Sequence, residues 1–139
     1  MYEDVLKENK PIYGVTRITK DSDPVVSEYI NNHYKKTRAK SKIPGWGIFN
    51  NNESSKEYRK DDALVNRTSL FIDANEFPFD VCFHIYGSKI AFYSYKQGET
   101  SGVIIENTAI KNTMFSLFKM SWNMARKLPI NKVYSDCIL

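Results

Sequence analysis

The stretch FPFDVCFHIYGSKIAFYSYKQGETSGVIIEN, residues 77 to 107, constrains the fold more than any other part of the chain. Apolar and aromatic residues recur at almost every second position, the period at which side chains alternate between the two faces of a strand. Gly87-Ser88 breaks the run with a hairpin turn signal, and KQGETSG breaks it again. Strands over 79 to 86 and 89 to 95, then a third in GVIIE, predict a three-stranded antiparallel meander. A long helix follows, capped by Asn107 or Thr108, with Ile110, Met114, Phe115, Phe118, Trp122 and Ala125 on one face. That stripe reads as core. Lys127 and Pro129 close the helix, and the pattern leaves open whether NKVYSDCIL docks.

Ahead of the meander the signals alternate. Residues 2 to 9 suit a short helix, and PIYGVTRI after the break at Pro11 suits a strand. Asp23-Pro24 pairs a capping acid with a proline at the first helical position, and Val26, Tyr29, Ile30, His33 and Tyr34 follow at helical spacing. A helix over about 23 to 40 is predicted. IPGWGIFN reads as a strand with a glycine on each side of Trp46, and residues 50 to 54 carry turn chemistry. SSKEYRKDDALV predicts an exposed helix of about two turns, and residues 69 to 72 a short strand.

At 139 residues and 42% apolar content the chain has the size of one domain, and a single domain over 1–139 is expected. Nowhere do about 18 apolar positions run together, so no transmembrane segment is predicted. The first twenty residues lack the apolar core and cleavage site of a secretory signal, which points to the cytoplasm. Cys82 and Cys137 lie far apart with no CxxC or CxxH, so reduced structural thiols are expected and no metal or cofactor is.

Five of the basic residues fall in KKTRAKSK: Lys35, Lys36, Arg38, Lys40 and Lys42. The favoured reading is a solvated helix C-terminus, where the negative end of the macrodipole attracts cations. The rival is a basic patch that meets nucleic-acid phosphates, with Tyr34 and Trp46 as stacking surfaces. The net charge of +4 permits either.

With only His33 and His84, a histidine-based catalytic or metal site has few places to form. There is no GxSxG elbow, phosphate-binding loop, HExxH or EF-hand loop. On its strand His84 shares a face with Cys82 and Tyr86, and it reads as a hydrogen-bonded or solvent-facing imidazole rather than a catalyst. Tyr86, Tyr93 and Tyr95 with Phe79 offer flat apolar faces, three of them edged with a hydroxyl, that suit either cross-strand packing or a sugar or base ligand.

The hairpin IYGSKIAFYS, a turn, GVIIEN and a helix containing FSLFKMSW resemble the end of a phospholipase D-like domain. More closely, the order from YEDVLKENKPIYG through HYKKTRAKSK, GIF and EYRKDDALVNR to MSWNMAR resembles the effector domain of TrmB-family transcriptional regulators. The resemblance implies an α/β (mixed α+β) fold, a mixed sheet with helices on both faces. It also implies a regulatory role, a homodimer or a heterodimer with a related regulator, and a small, sugar-like effector. Phospholipase D enzymes require HxKxxxxD, and neither register supplies it. With His84 as nucleophile the lysine and acid positions are Tyr86 and Ala91; with the turns aligned the histidine and lysine positions are Phe79 and Val81. No catalytic residue is therefore expected, and the ligand-binding candidates are Phe79, His84, Tyr86, Tyr93 and Ser94. Family members usually carry a winged-helix DNA-binding domain ahead of this part. These 139 residues leave no room for one, so direct DNA binding is not expected of this stretch by itself. It is either a stand-alone version or part of a regulator.

Overall fold

Strands β1 (Ile12–Thr16), β2 (Gly45–Asn50), β3 (Arg67–Ile72), β4 (Cys82–Tyr86), β5 (Lys89–Ser94) and β6 (Ser101–Glu106) form one sheet in the computed structural model, which describes residues 1–139. Their order is β3-β2-β1-β4-β5-β6. The first three run parallel, and β4, β5 and β6 continue antiparallel from β1. Parallel neighbours need long crossovers. Two helical connections provide them: α2 (Pro24–Tyr29), a π-helical turn (Ile30–Tyr34) and α3 (Lys35–Lys40) between β1 and β2, then α4 (Glu53–Arg59) between β2 and β3. The mixed sheet with helices on both faces is the architecture the sequence resemblance implies.

Alternation along each strand divides the apolar residues between two cores. On one face, α5 (Thr108–Ala125) lays Phe118, Trp122 and Ala125 over Ile48, Leu70, Ile85 and Ile90, all buried. Asn107 caps α5 by accepting from Ile110 N at 3.0 Å. On the other face, α1 (Tyr2–Glu8) and the π-turn cover Ile12, Tyr86 and Ala91 with Val5 and Tyr34. Lys89 pins α1 in place, its Nζ lying 3.0 Å from both Asp4 oxygens and 2.8 Å from Glu8 Oε1, and Tyr86 Oη donates to Asp4 at 3.0 Å. These bonds to Lys89 and Tyr86 hold the Asp4 carboxyl below its usual range against the opposing effect of burial.

Several boundaries move. The first meander strand begins at Cys82 rather than 79, because β4 pairs with β1 only from Phe83 and Val81 is exposed. The strand expected at 69 begins two residues earlier, with Arg67 opposite Gly45. The charged helix ends at Arg59, and turns carry the chain to Asn66, which adopts a left-handed φ of 51°.

The segment after Pro129 docks. A short 3-10 helix (Pro129–Tyr134) returns toward β3, and fully buried Asn131 fastens it. Its amide donates to Phe71 O at 2.9 Å and Ala125 O at 2.7 Å, and its carbonyl oxygen accepts from Phe71 N at 2.8 Å. Trp122 Nε1 donates to Cys137 O at 2.6 Å, closing the same seam. Replacing Asn131 by leucine strands three buried backbone groups, each a desolvation loss of about 1–3 kcal/mol less whatever relaxation recovers. Asn131→Leu is expected to lower stability by about 3 kcal/mol, read as a reduced urea midpoint at unchanged m-value.

Candidate functional site

Three glycines on one face of the two central parallel strands prepare a floor. Gly14 lies opposite Gly47 in the β1–β2 register, and Gly45 is next on that face. A Cβ on Gly14 would lie 2.1 Å from His84 Cδ2, one on Gly47 2.4 Å from Phe49 Cε2, and one on Gly45 2.8 Å from Arg38 Nη1. The absent side chains let an imidazole, a phenyl ring and a guanidinium lie against the sheet. Above them is a cavity of about 210 Å³, walled by Tyr2, Tyr34, Phe49, Tyr58 and Tyr95; the Trp46 ring, expected as a stacking surface, lies on the opposite face of the sheet against Tyr13, ring centres 5.1 Å apart.

His84 faces this cavity. Its Nε2 lies 3.1 Å from both Thr16 Oγ1 and Tyr93 Oη, while Nδ1 is buried without a partner. Charging the ring would strand an N–H at Nδ1 in a desolvated site. Burial first, and the positive Arg38 second, push the pKa down to about 3. The imidazole is thus neutral at physiological pH, held by two hydroxyls, and no carboxylate orients its second nitrogen.

The cavity's other side is cationic, and a one-residue shift in helix phase makes it so. Lys35 N–H bonds Ile30 O, five residues back. A π-turn inserts one residue into the helical repeat. From here the inward positions are Tyr34, Lys35 and Arg38, and His33 is turned outward to Glu3 at 3.2 Å. Arg38 donates to Ile43 O at 2.9 Å, Asn66 O at 3.3 Å and Val65 O at 2.6 Å. Lys35 Nζ donates to Asn31 Oδ1 at 2.8 Å and lies 3.8 Å from the centre of the Tyr58 ring. Arg67 places its guanidinium 3.7 Å from the same ring centre. Its Nε donates to Asp62 Oδ1 at 2.6 Å and Ser69 Oγ at 3.2 Å, its Nη2 to Tyr58 O, and Nη1 is buried with no partner. Desolvation, with Arg67 and then Arg38 nearby, lowers Lys35 to about 8.

The expected residues separate. His84, Tyr93 and Ser94 line the cavity, whereas Phe79 and Tyr86 do not; Tyr86 is buried under α1 on Asp4. The basic run does not form one patch: Lys35 and Arg38 are buried, while Lys36, Lys40 and Lys42 are exposed. Tyr34, expected as a stacking surface, is buried against Tyr2, ring centres 4.3 Å apart. Sequence reasoning passed over Arg67, Tyr58 and Tyr2. The one signal that points here is GWG, because glycines inside a strand mark close approach of another group.

A six-stranded mixed sheet in this order, helix-covered on both faces, defines an α+β domain with a cavity over its central strands. No protein-family model matches the chain, and no curated protein matches it in sequence. Among solved structures its fold is similar to that of TrmBL2, an archaeal chromatin protein whose structure shows a novel mode of DNA binding. The TM-score is 0.61 at 12% identity, covering 91% of this chain and 48% of that one. This chain thus spans about half the length of the TrmBL2 chain, and the likeness is one of fold. No helix is long and apolar enough to cross a membrane.

The depressed pKa of His84 has a consequence for stability. As pH falls below about 6.5 the unfolded chain binds a proton at this residue that the folded chain refuses until about pH 3. The stability present above pH 6.5 is therefore lost on acidification, at up to about 1.4 kcal/mol per pH unit. Urea unfolding at pH 6.5, 5.5 and 4.5 is expected to show this slope in the wild type, and a difference between wild type and His84→Gln that narrows as pH falls.

Proposed function

We propose that this domain is a non-catalytic sensor within a transcriptional regulatory system, binding a small polar molecule in the cavity over Gly14, Gly45 and Gly47. The observation that carries this reading is the cavity itself, which sets aromatic rings and hydroxyls around a space backed by a neutral, hydrogen-bonded imidazole. Such surroundings hold a ligand by stacking and polar contacts. The fold likeness to a chromatin protein supports the regulatory setting.

Self-association belongs to the same proposal. On the outer face of α5, Leu117, Met120 and Met124 form an exposed apolar stripe at spacings of three and four residues, and Ile110, expected in the core stripe but exposed, extends it seven residues upstream. A second copy or a related chain packed two-fold against it would bury that stripe. Light scattering is expected to give a dimer mass for the wild type and a monomer mass for Leu117→Glu/Met120→Lys; a monomeric wild type refutes this part.

The alternative is phosphodiester hydrolysis through His84, and one fact favours it: Lys35, Arg38 and Arg67 line the same cavity. Against it, Nε2 is already engaged by Thr16 and Tyr93, and no acid stands at Nδ1 to hold the charge of a phosphohistidine adduct. Bis-p-nitrophenyl phosphate is expected to survive incubation with the protein at the buffer rate. Turnover that disappears in His84→Ala would establish the hydrolase instead. For the sensor reading, a thermal-shift screen of neutral sugars, nucleosides and small organic acids is expected to return stabilising compounds through ligand linkage.

A further inference from the structure

The charges around the cavity do not balance. Lys35 and Arg38 are 6% and 3% exposed, and the Arg67 side chain is 6% exposed. One equally buried carboxylate, Asp62, answers all three, and it is committed to Arg67 Nε and Ser69 Oγ. Arg38 has neutral partners only, the carbonyls of Ile43, Val65 and Asn66. Asp61, the other acid acting on Lys35, is exposed at the surface. Two positive charges are left without a buried counter-charge on one side of one cavity. Burying a cation is favourable only when it is paired and its donors are filled.

The donors are not filled either. Arg67 Nη1 has no partner, and Lys35 Nζ uses one of its three hydrogens, on Asn31. Both groups lie within 4 Å of the Tyr58 ring centre, but Arg67 Nη1 has no surface open to the cavity, whereas Lys35 lines it. Cation–π contact with Tyr58 accounts for their direction, but it is weaker than the desolvation it would have to offset. An oxyanion at Lys35 Nζ, which lines the cavity, would fill its two open donors and supply missing negative charge. A nucleic-acid backbone does not fit this role, because the two cations are inside the domain.

We propose that the cavity takes a small organic anion, with its carboxylate or phosphate held by Lys35 and its apolar body against Tyr34 and Phe49. This rests on the ligand-binding reading above and names the class of ligand. Arg38, its donors spent on the backbone, and Arg67, its free donor closed off from the cavity, contribute their field. Carboxylate and phosphate share the chemistry recognised here, and the cavity, below the ~300–1,000 Å³ of most ligand sites, limits the body to a small ring or chain.

The test titrates benzoate, phenyl phosphate and neutral phenyl β-glucoside into wild type, Lys35→Met and Lys36→Met by calorimetry. Lys35→Met keeps the apolar stem, removes the bond to Asn31 and the cation–π contact with Tyr58, and takes away an unpaired buried charge, so it is expected to fold; Lys36→Met removes an exposed neighbouring charge as a control. At least one of the two anions is expected to bind wild type, and the stronger identifies the head group. Lys35→Met is expected to weaken that anion about thirtyfold or more, as for a buried charge pair that loses one partner, with Lys36→Met unchanged. Independently of any variant, wild-type affinity for benzoate, which stays ionised, is expected to fall several-fold between pH 7 and 9 as Lys35, set among Arg67, Arg38, Asp61, Asp62 and Tyr58, loses its proton. Anion binding that is equal in Lys35→Met, or flat with pH, overturns the proposal. Binding of the glucoside alone overturns it and leaves the sensor reading standing, whereas no binding of any of the three removes both.

Discussion

The guanidinium of Arg38 lies against Gly45 and donates to carbonyls of Ile43, Val65 and Asn66, joining the end of α3, the start of β2 and the loop that enters β3. Hydrogen bonds from a charged donor are stronger than neutral ones, and these satisfy backbone groups that the turns leave open. The arrangement needs a glycine at 45, since a Cβ there would lie 2.8 Å from Nη1. It needs Arg38 to point inward, which the π-turn secures. The parallel half of the sheet is thus clasped at one end by a cation, and the cavity is the space beside that clasp. Arg67, bound to Asp62 and the Tyr58 carbonyl, fixes the neighbouring strand to α4 in a similar way.

The meander and α5 were legible because nothing competes with their periodicity. Alternation in CFHIYGSKIAFYS gave the β4–β5 hairpin and its turn at Gly87, whose φ of 53° suits glycine. The spacing of Phe118, Trp122 and Ala125 gave the buried side of α5. Strand ends were less legible, since pairing with β1 decides where β4 begins and no local pattern records that. Docking of the last ten residues was illegible for a similar reason. It rests on Asn131 and Trp122 bonding main-chain groups distant in sequence, Phe71 and Cys137.

The candidate site was read in part, and the misreading is instructive. Counting the helix as regular through residue 40 put the basic run at a solvated end. The inserted residue instead turns Lys35 and Arg38 toward the sheet, and five adjacent charges become two inside and three outside. His84 was located correctly as a hydrogen-bonded imidazole, although the hydroxyls that hold it, Thr16 and Tyr93, come from two other strands. Arg67 carried no local signal, because an arginine opening a strand ordinarily faces water.

The π-turn has a geometric corollary. Removing any one residue from INNHY would restore a regular α-helix and rotate everything after it by about 100°. The ammonium and guanidinium now enclosed would move toward the flank of the helix, next to the lysines already there. A single inserted residue thus decides whether these two charges face the sheet or the solvent, without altering the strands beneath.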